Sequence, residues 1–229
     1  MNDYPYDLGT YSRAITTDSA DAQQWWDRGL NWLFGYNHEE AMVCFERALE
    51  ADSNCAMAYW GLAYCLGPNY NKPWDLFDPE GELPDCLTRS REWLSKAGDC
   101  PASDVERAVI DALWHRYPQT EGVDVETLYV WNGNVADAMR EVHKAFPDDN
   151  EVTTIFVETM MNRTPWKMWD PRSGEPEEHA DTLECKQVLE EAIAANSASS
   201  GGLHPGLLHL YVHLMEMSPT PEDAMLAAD

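Results

Sequence analysis

Two histidines and one glutamate share a helical spacing near the end of the 229-residue chain. His209, His213 and Glu216 stand at positions i, i+4 and i+7, which places their side chains on one face of a helix. Two imidazoles one turn apart and a carboxylate form a donor set that Zn, Fe, Cu or Ni can use. His204 lies just before this helix and can reach back toward the same area. The pattern predicts a transition-metal site made of His204, His209, His213 and Glu216.

The same spacing also has an interpretation without a metal. Leu210 stands where the His-Glu-x-x-His motif of metalloproteases has its general base, so the pattern does not predict that chemistry. A His-x-x-x-His pair also arises by chance, and then forms a polar patch in which one histidine caps or bonds a neighbouring backbone. No phosphate-binding glycine loop or nucleophile elbow is found in the sequence.

An aromatic and acidic motif occurs twice at a constant offset. Residues 73–79 read Pro-Trp-Asp-Leu-Phe-Asp-Pro and residues 165–171 read Pro-Trp-Lys-Met-Trp-Asp-Pro, so that residue 165 lies 92 positions after residue 73. Long insertions of this kind in a compact helical array are functional or mobile. Their candidate ligand-binding residues are Trp74, Asp78, Trp166, Trp169 and Asp170. The alternative is structural, with the aromatic rings as anchors and the aspartates capping turns.

Apolar spacing divides the rest of the chain into helices. A Ser103-to-Glu106 capping box begins one of them, and Pro147 follows the end of another. No alternating pattern long enough for a strand is present, so the sequence predicts an all-α fold. The expected helical segments are a pair within residues 25–51, a helix from residue 56, and residues 85–97, 103–117, 124–146, 150–162, 180–195 and 206–217.

The first helix pair carries a known repeat pattern. Its small and aromatic positions are Trp25, Gly29, Trp32, Ala41, Phe45 and Ala48, and a similar helix follows about 34 residues after the first. This pattern resembles the tetratricopeptide repeat (TPR). With the Arg-Thr-Pro-Trp-Lys-Met-Trp-Asp segment and the His-Pro-Gly helix from His204, the chain is similar to a family of long, largely uncharacterised TPR proteins. The resemblance implies a right-handed TPR-like α-solenoid of antiparallel helix pairs with two inserted aromatic-acidic loops.

The repeats define the expected domain organisation. An N-terminal extension, residues 1–21, precedes a helical repeat domain, residues 22–229. The domain divides into a first two-repeat unit at residues 22–97, a second at 103–195 and the start of a further repeat at 203–229. Because equivalent insertions project the same way from a stacked array, residues 68–84 and 164–178 are expected on one side, covering part of the groove.

In TPR arrays one stripe of the first helix of each pair faces a concave groove, and this resemblance supplies the functional hypothesis. The stripe predicts groove positions at Trp26, Leu30, Leu33, Trp60 and Tyr64. Aligning Ala41 with Ala224 places His209, His213 and Glu216 in the same stripe. The leading hypothesis is a scaffold that holds a peptide or protein partner in this groove. The alternative is a metal- or small-molecule-binding protein, and a metal-dependent enzyme is included in it.

Composition restricts the partners. The chain has 41 acidic and 15 basic residues, for a net charge of −26. Such a surface repels phosphate backbones and anionic membranes, and it favours a basic partner. The six cysteines are scattered without a Cys-x-x-Cys pair, which is typical of reduced, buried thiols in a cytoplasmic protein.

The last predicted helix begins near Glu222 and is short. It leaves the apolar stripe of Leu208, Val212 and Met215 without the partner helix that a repeat normally supplies. The sequence therefore predicts either a fragment of a longer protein or end-to-end self-association through this repeat.

Overall fold

The computed structural model describes residues 4–121, 123–197 and 203–228. Helices account for 65% of the structure and no strand occurs within these ranges, which confirms the all-α prediction. The helices are α1 (Ala20–Phe34), α2 (His38–Ala51), α3 (Ala56–Leu66), α4 (Glu82–Asp99), α5 (Asp104–Leu113), α6 (Val125–Ala145), α7 (Asn150–Met161), α8 (Thr182–Ser197), α9 (Pro205–Met215) and α10 (Met225–Ala228).

Side-chain caps begin several of these helices. Ser103 accepts from the Glu106 backbone and the Glu106 side chain accepts from Ser103, so the predicted capping box begins α5. Asp124 caps α6 and Asp149 caps α7, each through a backbone N–H three residues later. These bonds satisfy N–H groups that the first helical turn leaves unpaired.

Phe45 of α2 fills the space between the first three helices. A Cβ atom built on Gly29 of α1 would lie 2.4 Å from the Phe45 ring, and one on Gly61 of α3 would lie 2.6 Å from it. The absence of side chains at both glycines therefore lets α1 and α3 approach the ring closely. Consecutive helices pack against each other from α1 to α9.

Helix α7 runs through the middle of the fold. Its residues from Glu151 to Met161 are all buried, and it packs against α6, α8 and α9. Burial on all sides is typical of a helix in the interior of a fold. Helix α9 also contacts α1, so the first and last long helices of the described chain meet beside α7.

The predicted open groove is filled by the chain itself. Its expected lining residues lie in the core with at most 1% of their surface exposed. Tyr64, one of them, donates a hydrogen bond to Glu158 of α7, with 2.6 Å between the oxygens. These side chains therefore pack inside the protein, and the groove interpretation is corrected at Trp26, Leu30, Leu33, Trp60 and Tyr64.

Residues 4–19 form an extended strap across the helices. Arg13 donates two hydrogen bonds to Asp149, at 2.7 and 2.8 Å, and is also paired with Glu151. The Thr16 backbone donates to Glu106 at 2.7 Å. The part of the predicted N-terminal extension that the structure describes is thus bound to α5 and to the start of α7.

The cysteines and the last helix carry two further sequence predictions. The six cysteines are free, and all except Cys100 are buried, as predicted. No helix in the described ranges combines the length and the apolar character needed to cross a membrane. The final helix is the short α10, where Leu226 is 88% exposed, and self-association there stays a prediction.

Candidate functional site

The two inserted loops meet at one side of the fold. Tyr70 of the first loop stacks on Trp166 of the second, with ring centres 5.9 Å apart and planes 9° apart. Asp78 Oδ1 accepts from the Glu80 backbone at 3.0 Å, and Asp170 Oδ1 accepts from the Arg172 backbone at 2.9 Å. The aspartates therefore form matching turns. The Tyr70–Trp166 contact places the two loops together, and their place on one side of a solenoid stays a prediction.

The tryptophans of the two loops have different roles. Trp74 is buried and donates to Asn132 Oδ1 at 3.0 Å, while Trp169 is buried and donates to the Leu214 carbonyl at 2.7 Å. These two rings anchor their loops on α6 and α9. Trp166, which matches Trp74 in the sequence duplication, is instead 49% exposed.

Five rings from four elements form a histidine–aromatic cluster: Tyr36, Tyr70, Trp166, His209 and His213. Ring-centre distances are 4.7 Å for Tyr36–His209, 5.6 Å for Tyr36–His213 and 5.4 Å for Tyr70–His213. The two histidine rings are 4.6 Å apart. The cluster joins the turn between α1 and α2, both loops and α9.

Backbone strain is concentrated in this cluster. Tyr36 has φ 58° and Trp166 has φ 63°, and no other non-glycine residue of the described chain has a positive φ. The left-handed region costs such a residue roughly 1–2 kcal/mol. Strain of this kind is retained where surrounding structure enforces it, and it is common at binding sites.

The histidines of α9 have defined hydrogen-bond partners. His209 Nδ1 bonds the Phe34 carbonyl oxygen. His213 Nδ1 lies 3.1 Å from Glu216 Oε1, and its Nε2 lies 3.4 Å from Asn71 Nδ2. Burial, and next the neighbouring His213, lower the pKa of His209.

The predicted four-residue metal set is only partly brought together. His204 caps α9 by accepting from the Leu207 backbone at 3.2 Å, and its Nε2 lies 3.5 Å from Glu151. Its ring packs on Tyr11 and Phe34, away from the histidine–aromatic cluster. Within the described ranges, no group of three or more His, Cys, Asp or Glu side chains is arranged to hold a metal ion.

A cavity of about 660 Å³ adjoins the cluster at Tyr36, and Asn71 also lines it. Its polar wall includes the carboxylates of Glu39, Glu82 and Asp85 and the ammonium group of Lys72. Lys72 is paired with Glu82. The cavity therefore has more negative than positive groups, and its apolar wall includes Met42 and Leu66.

A buried polar network lies behind Tyr36. Burial raises the pKa of Glu158 to about 7, against the opposing effects of the Tyr64 hydrogen bond and the Arg116 charge. The Arg116 guanidinium is fully buried, 4.7 Å from the centre of the Tyr64 ring. Burial, and next the Glu158 carboxyl, raise the pKa of Tyr36. Tyr36 thus lies between the two α9 histidines, whose rings pack on its own, and this buried network.

Tyr36, Tyr70 and Glu158 are not among the site residues that the sequence predicts. The two tyrosines occur in turns that carry no recognisable motif. Glu158 does have a signal, because it is the one charged residue in the segment from Val152 to Met161. A lone carboxylate in such a segment indicates either a buried partner or a functional group.

Comparison of the chain with family models, with curated proteins and with solved structures gives no match. What the chain binds must therefore be inferred from its own side chains.

Proposed function

We propose that the chain is a TPR-like binding protein that holds a basic segment of a partner protein in the cavity beside Tyr36. In this proposal its helices form antiparallel pairs of a right-handed solenoid, and the first inserted loop builds one wall of the binding site. A lysine or arginine side chain of the partner enters the cavity. The partner binds at the loops, since the residues of the expected groove are occupied in packing the core.

The charge balance of the cavity carries this proposal. Three acidic residues and one lysine line the cavity, and the lysine is already paired with Glu82. The long aliphatic stem of a lysine or arginine also matches the apolar wall formed by Met42 and Leu66. The net charge of −26 would steer a basic segment toward the protein.

The charged groups of the cavity also set the size of the affinity loss expected when one of them is removed. A hydrogen bond to a charged group contributes about 1.5–3 kcal/mol, which is at least tenfold in affinity. Glu39 and Asp85 are the residues to test, because replacing them leaves the Lys72–Glu82 pair intact. Asp85 is paired with Arg89 one helical turn away, an exposed contact of little energetic weight.

Fluorescence anisotropy with a labelled (Lys-Ala)5 peptide tests the proposal, with (Glu-Ala)5 as the opposite-charge control. We expect the double variant Glu39→Gln/Asp85→Asn to bind the lysine peptide at least tenfold more weakly. A matched double variant, Glu46→Gln/Glu126→Gln, removes two exposed charges elsewhere and should change binding by less than twofold. Equal losses in both double variants, or no binding by the unmodified chain, would overturn the proposal.

A further inference from the structure

The two histidines of α9 use the same ring nitrogen, Nδ1, for their hydrogen bonds within the protein. His209 Nδ1 is bonded to the Phe34 carbonyl, which can only accept, so this nitrogen carries the proton. His213 Nδ1 faces the Glu216 carboxylate at 3.1 Å, which likewise accepts. In both rings Nε2 therefore keeps its lone pair. The Asn71 amide, 3.4 Å from His213 Nε2, is placed to donate to that lone pair.

This arrangement is typical of metal-binding histidines. Their non-ligating nitrogen is almost always bonded to a carboxylate or a backbone carbonyl, which fixes the ring and its tautomer. Here His213 is bonded to a carboxylate and His209 to a backbone carbonyl. The Phe34 carbonyl comes from the end of α1, so the two ends of the described helical array together orient the pair.

The spacing of the rings also fits a shared ion. Two imidazoles that bind one ion at about 2.0–2.1 Å through Nε2 have ring centres roughly 5 Å apart. The observed ring centres of His209 and His213 are 4.6 Å apart, with 57° between the planes. The cluster holds both rings in place, since Tyr36 packs on each of them.

We propose that His209 and His213 bind one divalent transition-metal ion through their Nε2 atoms. Paired imidazoles suit Cu²⁺, Ni²⁺ and Zn²⁺, and Cu²⁺ is the tightest binder among them. Asn71 supplies a third ligand by turning its amide so that the oxygen faces the ion, and water fills the remaining positions. Glu216 and the Phe34 carbonyl are positioning groups in this site. The proposal does not depend on the capture of a basic segment.

The site differs from the one that the sequence predicts. His204 takes no part, because its Nδ1 caps α9 and its ring lies between Tyr11 and Phe34. Glu216 bonds the ring nitrogen opposite the ion and is not itself a ligand. Because of these two assignments, variants of His204 and Glu216 should bind the ion differently from variants of a site in which all four residues are ligands.

Titration of the full chain with CuCl2, followed by calorimetry and by electron paramagnetic resonance, tests the site. We expect one tight ion with two nitrogen ligands. His209→Ala and His213→Ala should each weaken binding at least a hundredfold and remove one nitrogen from the spectrum. His204→Gln and the exposed His179→Gln should leave both readouts unchanged. Glu216→Gln should weaken binding about tenfold while both nitrogens remain.

Asn71→Asp provides a readout that does not depend on removing a histidine from α9. The substitution places a carboxylate on the first loop, beside His213 Nε2. It should tighten Cu²⁺ binding about tenfold. The proposal is overturned if the unmodified chain binds Cu²⁺ with a Kd above 100 µM. It is also overturned if His213→Ala binds as tightly as the unmodified chain, or if Asn71→Asp has no effect.

Discussion

The Tyr64 hydroxyl donates to Glu158 Oε2 at 2.6 Å and thereby joins α3 to α7 across 94 positions of the chain. Both residues are buried in the core. The carboxyl group is therefore part of the packing between two helices and also a titratable group, so that a change of pH acts directly on the middle of the fold.

Glu158 should make the protein less stable as the pH rises from 4.5 through 7. Burial raises the pKa of Glu158 from 4.5 to about 7, so the folded state holds the proton more tightly than the unfolded chain does. Relative to Glu158→Gln, the unmodified protein should lose about 3 kcal/mol of unfolding free energy over this interval. Urea denaturation at several pH values measures the difference, and parallel pH profiles for the two proteins would contradict it.

His38 should have the opposite pH dependence. Burial lowers the pKa of His38 from 6.5 to about 4, although its Nδ1 bonds the Cys65 carbonyl at 3.0 Å. The stability contributed by the neutral ring is present above pH 6.5 and is lost as the pH falls toward 4. His38→Gln should therefore flatten the acid side of the stability profile. The exposed His179→Gln is the control and should leave that profile unchanged.

The Phe45 contacts predict which glycines tolerate a methyl group. Gly29→Ala and Gly61→Ala should each destabilise the protein by about 1–3 kcal/mol, because the added carbon collides with the Phe45 ring. Gly133→Ala in α6 is the matched control, since its Cβ meets no atom within 4 Å, and it should stabilise by up to about 1 kcal/mol. Thermal unfolding of the three variants measures these changes.

A second substitution tests whether the Phe45 ring causes this loss of stability. Phe45→Leu in the Gly29→Ala background should recover part of the lost stability, giving a coupling energy of at least about 0.5 kcal/mol. Additive effects of the two substitutions would mean that Gly29 acts on something other than Phe45.

The duplicated tryptophans should differ in their effect on stability. Trp74→Ala should cost about 3–5 kcal/mol, because it empties a core position and leaves Asn132 without its donor. Trp166→Ala should cost less than about 1 kcal/mol, since its ring is half exposed and its backbone is strained. Chemical denaturation of both variants provides the comparison, and equal losses would mean that sequence position, not burial, determines the role.

Local signals account for the part of the fold that the sequence predicts. Capping residues such as Ser103 act within one helical turn, so the start of α5 is visible in the sequence. The loop motif is visible because its residues repeat, and the Asp78 and Asp170 turns form through bonds to a backbone two residues away. None of these features depends on distant parts of the chain.

The site depends on contacts that no local pattern encodes. Trp26 and Tyr64 have the same sequence signature whether they face solvent or another helix. Their burial depends on other helices, because Trp26 packs on Phe45 of α2 and Tyr64 bonds Glu158 of α7. His204 and His209 are five residues apart. His204 nevertheless contacts Tyr11 and Glu151, whereas His209 contacts Tyr36. Long-range packing therefore separated residues that spacing alone would group.

The strap of residues 4–19 has a consequence for the order in which the protein assembles. Arg13 leaves the ribosome long before Asp149, its partner 136 positions later, exists. The strap is therefore synthesised well before α7 and reaches its final contacts only after that helix has been made. Until α7 emerges, the strap cannot make its contacts with that helix. Helices α1 to α6 must therefore stay soluble during translation without these contacts.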